Sequence, residues 1–160
     1  MDLLPKISIG GLRAEIDFCV SDYNDFSDVG IIILPGGYTW MESRYDAIAD
    51  FVRRARDSGV PIAAICGATL FLGRHGFLND VKHTGDDQEY FTETLGEEDV
   101  YTGKDLFVPV QLVNDNGFIT ANETAALDFA VEIFRTIEID SDDEIAQWYD
   151  KYKYGMFRGA

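Results

Sequence analysis

With 160 residues, 46% of them hydrophobic, the chain is long enough for one domain with a sizeable core and reads as soluble and globular. Its 13 basic and 29 acidic side chains leave a net charge of −16, which opposes phosphate backbones and anionic lipid surfaces. Neither nucleic acid nor a membrane is therefore an expected partner. The two cysteines, Cys19 and Cys66, stand in no CxxC or Cys/His cluster, so no disulfide scaffold or structural zinc is expected and a reducing, cytoplasmic compartment is. The N-terminus shows no signal-peptide pattern, and no apolar run is long enough to span a bilayer.

In chain order, the alternating stretch from Glu15 to Val20 places Cys19 as a packed strand residue. Ile31 to Leu34 then run into Pro35-Gly36-Gly37, the pattern of a buried strand ended by a flexible turn. Tyr45, Ile48, Ala49, Val52 and Ala55 recur at helical spacing, with Ser43 as the expected cap and Ser58-Gly59 as the stop. A second apolar run, Pro61 to Ile65, predicts a strand parallel to the first, since a β-helix-β order needs a crossover.

That strand ends at Cys66 and passes at once into Gly67-Ala68-Thr69 and a short helix to about His75. A residue at such a turn has its side chain lifted clear of the sheet, beside the free N–H groups and positive dipole of the helix start. Those groups favour a thiolate and can hold an oxyanion, which makes Cys66 the first candidate for chemistry; the plain alternative is a small buried hydrophobe. Val81 to Thr84 reads as a strand end carrying His83, placed to act as base or hydrogen-bond partner for Cys66 or to be an exposed loop residue. His75, near the end of a helix, is explained by its favourable interaction with the helix dipole.

Asp87 to Leu95 predicts another helix, and Leu106 to Val113 and Phe118 to Thr120 predict strands joined through a hairpin at Asn114-Asp115-Asn116-Gly117. A long helix follows from about Glu123 to Ile137. The last is capped by Ser141 with Glu144 three residues on, burying Ile145, Trp148, Tyr149 and Tyr152. The acidic run Asp140 to Glu144 lacks the glycine and glutamate of an EF-hand loop and is better explained by capping. Neither GxGxxG nor GxxxxGK[ST] occurs.

The two glycine-bearing turns, at Gly36-Gly37 and Cys66-Gly67, both follow C-terminal ends of predicted parallel strands, the edge where open α/β sheets bind ligands. If the strands are neighbours, the N–H groups of Gly37 and Gly67 point at one spot beside the Cys66 sulfur; alternatively both turns only relieve strain. Tyr38, Trp40 and Tyr90 are candidate crevice residues or ordinary packed or exposed aromatics.

Taken together, ILPGGYTW at Ile33 to Trp40, PIAAICGAT at Pro61 to Thr69, KHT at Lys82 to Thr84 and ITANET at Ile119 to Thr124 resemble the DJ-1/PfpI family. This family belongs to the class I glutamine amidotransferase-like superfamily. The resemblance implies a three-layer α/β sandwich, flavodoxin-like, with a mostly parallel sheet and a nucleophile elbow at Cys66. It implies that Cys66 is the reactive, oxidation-prone cysteine, that Gly37 and Gly67 are its oxyanion-hole donors, and that His83 matches a histidine near the nucleophile. Implied activities are peptidase, glyoxalase or deglycase-type chemistry on small-molecule or peptide substrates, or stress-response roles, in a homodimer without metal or organic cofactor.

The resemblance is incomplete in two places. Gly67 follows the nucleophile where protease-like members have a histidine. The family's opening strand, helix and strand, which carries a glutamate that hydrogen-bonds the cysteine, has no counterpart ahead of Ile7 to Asp17, so residues 1–160 are expected to form one N-terminally incomplete domain. No acidic residue takes the glutamate's place by position, and a non-catalytic redox-sensing or interaction module is the alternative reading. A glutaminase is disfavoured because no HxE pair follows the elbow: Thr84-Gly85 follow His83.

Overall fold

The computed structural model describes residues 3–96 and 100–157. A short exposed hairpin of β1 (Lys6–Ile7) and β2 (Arg13–Ala14) comes first and stands apart from the main sheet. The main sheet has four strands, β3 (Ile32–Leu34), β4 (Ile62–Ile65), β5 (Leu112–Asp115) and β6 (Phe118–Ala121), in the order β3-β4-β6-β5. The first three in that order run parallel, with Ile32 opposite Ile62 and Ala64 opposite Thr120; β5 closes antiparallel against β6. This is the flavodoxin-like, mostly parallel arrangement that two all-apolar strands flanking a helix call for.

Side-chain alternation divides the core between the two faces of the sheet. Leu34, Ile62, Ala64 and Phe118 pack on one side with α1 (Ala47–Asp57), α2 (Gly67–Arg74) and α3 (Gln88–Leu95). Ala63, Ile119 and Ala121 pack on the other with Phe129 and Ile133 of α4 (Ala126–Thr136). The last helix, α5 (Asp142–Tyr154), lies on α4 and buries Ile145, while the Phe134 and Trp148 rings meet edge to face at 5.1 Å.

Several elements depart from the sequence expectation for identifiable reasons. Ser43 opens a single tight turn, Ser43–Tyr45, whose bonds from Tyr45 N–H and Asp46 N–H displace the helix start to Ala47. The strand expected from Leu106 begins only at Leu112, because residues 104–106 form another tight turn and Pro109 has no N–H for a ladder. Phe107 makes a lone bridge to His83 instead. Cys19 is buried as expected, yet in irregular backbone rather than a strand. Tyr152 is exposed; it stacks on Trp148 at 4.6 Å and does not enter the core. The Ser141 cap of α5 is as read, accepting from Glu144 N–H at 3.3 Å, while Asp87, expected inside α3, caps it instead, accepting from Tyr90 N–H at 2.9 Å.

The hairpin between β5 and β6 turns on Asn116 and Gly117, both with positive φ, 45° and 78°, the conformation an Asn-Gly pair accommodates. Arg56 of α1 ties this turn to the helix layer. Its guanidinium donates to the carbonyls of Asn116 (2.8 Å), Val60 (3.2 Å) and Gly117 (3.4 Å) and lies 4.8 Å from the centre of the Phe118 ring. Arg56→Ala is expected to lower the unfolding free energy by about 1–3 kcal/mol, with Arg56→Lys restoring less than half, because an ammonium lacks the planar fork. Urea denaturation of the three proteins checks this.

Candidate active site

The site is built where β3 and β4 end side by side. Cys66 follows β4 with φ 57° and ψ −136°, a backbone conformation that costs a non-glycine residue on the order of 1–3 kcal/mol. Surrounding bonds hold it there. Cys66 N–H donates to Ala121 O of β6 at 3.0 Å, and its carbonyl accepts from Thr69 N–H at 2.9 Å and from Thr69 Oγ1 at 2.7 Å. The neighbouring turn closes from the other side. A Cβ on Gly36 would lie 3.2 Å from Cys66 Cβ, and one on Gly67 would be driven into the carbonyl oxygen of Gly37. Glycine is required at position 67 by this close approach of backbone to backbone.

The strands are thus neighbours, as the argument for a shared oxyanion site requires, and Gly37, Cys66 and Gly67 line one cavity of about 290 Å³. Tyr38, Trp40, Met41, Leu70 and Tyr90 complete its walls, together with Asp86 and Glu123. Trp40 is oriented by its indole N–H, which donates to Pro35 O at 2.8 Å. A larger groove of about 530 Å³ between β5, α4 and α5 contains no cysteine or histidine.

Two acidic side chains that no sequence pattern singled out face the sulfur. One ligand atom each from Cys66, Asp86 and Glu123 lie within 4.8 Å of one another. The Oδ1 of Asp86 accepts from Glu123 N–H at 2.7 Å, which locks the loop before α3 to the end of β6. Burial pushes the Cys66 thiol up in pKa; a hydrogen bond from Gly67 N–H opposes this, and the charges of Asp86 and Glu123 add to the rise. The helix start favours a thiolate here, but the weaker effect loses. A sulfur and two carboxylates are donor types a divalent cation accepts, but exposed acidic groups near a cysteine are common without one.

His83, expected to face the crevice, lies elsewhere. Its side chain is fully buried among Phe91, Tyr101 and Phe107, with Nδ1 2.8 Å from Val81 O and Nε2 2.7 Å from Tyr101 Oη. Both ring nitrogens are engaged, so neither is presented to Cys66. Burial pulls the imidazole pKa down and pushes the Tyr101 phenol up to about 12, so the pair is neutral and acts as a polar strut inside an aromatic cluster. His75 closes α2, stacked on Phe71 at 4.7 Å with Nε2 3.3 Å from Asp46 Oδ1.

Both the sequence and the fold match known proteins. The DJ-1/PfpI family profile matches residues 5–136. The chain belongs to the DJ-1/PfpI family. Among curated members, it is 35% identical over 142 residues to the Bacillus subtilis protein named uncharacterized protease YoaZ, covering 89% of this chain. It is 31% identical over 150 residues to uncharacterized protease YdeA of the same organism, covering 94%. It spans just under two thirds of the length of YoaZ, 66%, and 73% of YdeA. The ThiJ/PfpI family protein from Bacillus anthracis superposes with a TM-score of 0.85 at 30% identity, over 96% of this chain and 71% of that one. A DJ-1 superfamily protein from Agrobacterium tumefaciens gives 0.81 at 30% identity, over 95% and 80%.

No local signal in the sequence marks Asp86, because the bond that places it comes from Glu123, 37 residues away. The pH profile of Cys66 alkylation by iodoacetamide is expected to have its midpoint above that of a free thiol. In Asp86→Asn the midpoint moves down, because the neutral amide no longer repels the thiolate, so labelling near pH 8 speeds up. Intact-mass kinetics across a pH series check both signs.

Proposed function

We propose that this DJ-1/PfpI protein is a cysteine-dependent enzyme acting on reactive carbonyl compounds, with Cys66 as nucleophile. The observation that carries this reading is the strained elbow, which presents the thiol to a cavity where carboxylate oxygens of Asp86 and Glu123 lie within 4.8 Å of the sulfur and of each other. With no histidine on the sulfur, Asp86 does the work of the base. It takes the thiol proton as Sγ attacks the carbonyl carbon; a C–S bond forms and the π pair moves onto oxygen. The N–H groups of Gly37 and Gly67 hold that oxyanion, and the proton returns from Asp86 to give a hemithioacetal. With a 2-oxoaldehyde, a carboxylate moves the C–H proton to the adjacent carbon, and water hydrolyses the resulting thioester to a 2-hydroxy acid, freeing the thiol.

Methylglyoxal added to the purified protein is expected to disappear with formation of lactate. Cys66→Ala abolishes this, and Asp86→Asn slows it by about 10²-fold or more. Methylglyoxal left untouched, with Cys66→Ala indistinguishable from the parent, overturns the carbonyl reading. The names of the two Bacillus subtilis relatives suggest peptide hydrolysis. Gly67 after the nucleophile and the engagement of both His83 nitrogens supply no Cys-His pair for that reaction.

One observation favours a second reading, a redox-sensing or interaction module that keeps the fold without catalysis. Burial and two acidic neighbours keep the thiol protonated near neutral pH, which slows every reaction of the sulfur in the absence of a substrate that recruits Asp86. The same methylglyoxal assay separates the two readings.

A further inference from the structure

The charged residues that line the Cys66 cavity are all of one sign. Asp86 and Glu123 both approach the sulfur, and among the described lining residues there is no lysine, arginine or histidine. The other lining groups are apolar or aromatic. Tyr38 is 90% exposed and Tyr90 54% exposed, so the faces of these rings are not used up in the core, and Trp40 lines the same cavity. Carboxylates beside aromatic faces make a setting in which a positive charge is attracted twice, by Coulomb forces and by the ring quadrupoles. The chain's net charge of −16 adds a field of the same sign over the approach to the cleft.

We infer that this cleft selects electrophiles carrying a positive charge, such as an aldehyde or ketone bearing an ammonium or guanidinium group, and turns away carboxylated or phosphorylated ones. The inference rests on Cys66 being the reacting group of the proposed function, and it adds the class of substrate. A neutral compound such as methylglyoxal reaches the sulfur without help or hindrance from this field. A cationic carbonyl compound concentrates in the cleft with its charge near Glu123 and Tyr90 and its carbonyl at Cys66.

Paired thiol reagents of opposite charge test this without requiring turnover. The 2-(trimethylammonio)ethyl and 2-sulfonatoethyl methanethiosulfonates react alike: the sulfur of Cys66 forms a disulfide bond with the reagent sulfur, and methanesulfinate leaves with the bonding pair. Rates at Cys66 are read by peptide mass and divided by the rates of a small free thiol in the same buffer. The normalised cation-to-anion ratio is expected to be about tenfold or more. It falls several-fold in Glu123→Gln and in Asp86→Asn, and shrinks as salt rises from about 20 mM to about 500 mM.

A normalised ratio of one or less overturns the inference. So does a high ratio left unchanged by both substitutions, since that places the bias in the overall charge of the protein rather than in the cleft. The outcome is separable from that of the carbonyl assay. A protein inert to methylglyoxal that still shows a high, substitution-sensitive ratio loses the proposed reaction and keeps the charge selection. An active protein with a ratio of one does the reverse.

Discussion

Everything at the site depends on two backbone turns meeting at van der Waals limits. The Gly36-Gly37 turn after β3 and the Cys66-Gly67 turn after β4 are held together because the strands that feed them pair in parallel, Leu34 opposite Ala64. A side chain at position 67 would separate them. The backbone of Cys66 is strained, and the strain persists because the bonds from Ala121, Thr69 and the packed glycine turn over-determine it. The apolar strands Ile32–Leu34 and Ile62–Ile65 are thus the source of the elbow's geometry as well as of the core.

The electrostatics run against the simplest expectation for an elbow cysteine. A helix start and a donated N–H lower a thiol pKa, while burial and two nearby carboxylates raise it, and the second group wins at Cys66. The thiol is therefore held protonated, and under the proposed function its proton passes to Asp86 as the sulfur attacks rather than being lost beforehand. The same two carboxylates that raise the thiol pKa also set the sign of the cleft.

The family resemblance implies an acidic partner for the cysteine from an opening segment of the fold. Here Asp86 comes to the sulfur from the opposite direction in sequence, from the loop that leads into α3, held by its bond to the Glu123 N–H. Among the described residues, β3 is an edge strand of the main sheet, with Ile33 half exposed. His83, freed of any part at the sulfur, fixes the packing of Phe91, Tyr101 and Phe107 behind the site.

By itself the sequence determined the elements whose signals are local. These are the apolar runs that become β3, β4 and β6, the Asn-Gly hairpin, the Ser141 cap, and the elbow, since each needs only neighbouring residues to act. It misplaced the start of α1 and the length of β5, where a tight turn and a proline compete with periodicity. Only the tertiary structure decided what faces the sulfur. His83 and Asp86 are three residues apart, in a segment with no regular alternation, and which of them turns inward is decided by contacts with Tyr101 and Glu123, distant in sequence. Side-chain direction in irregular backbone is set by those long-range partners, and one chain read in order carries no record of them.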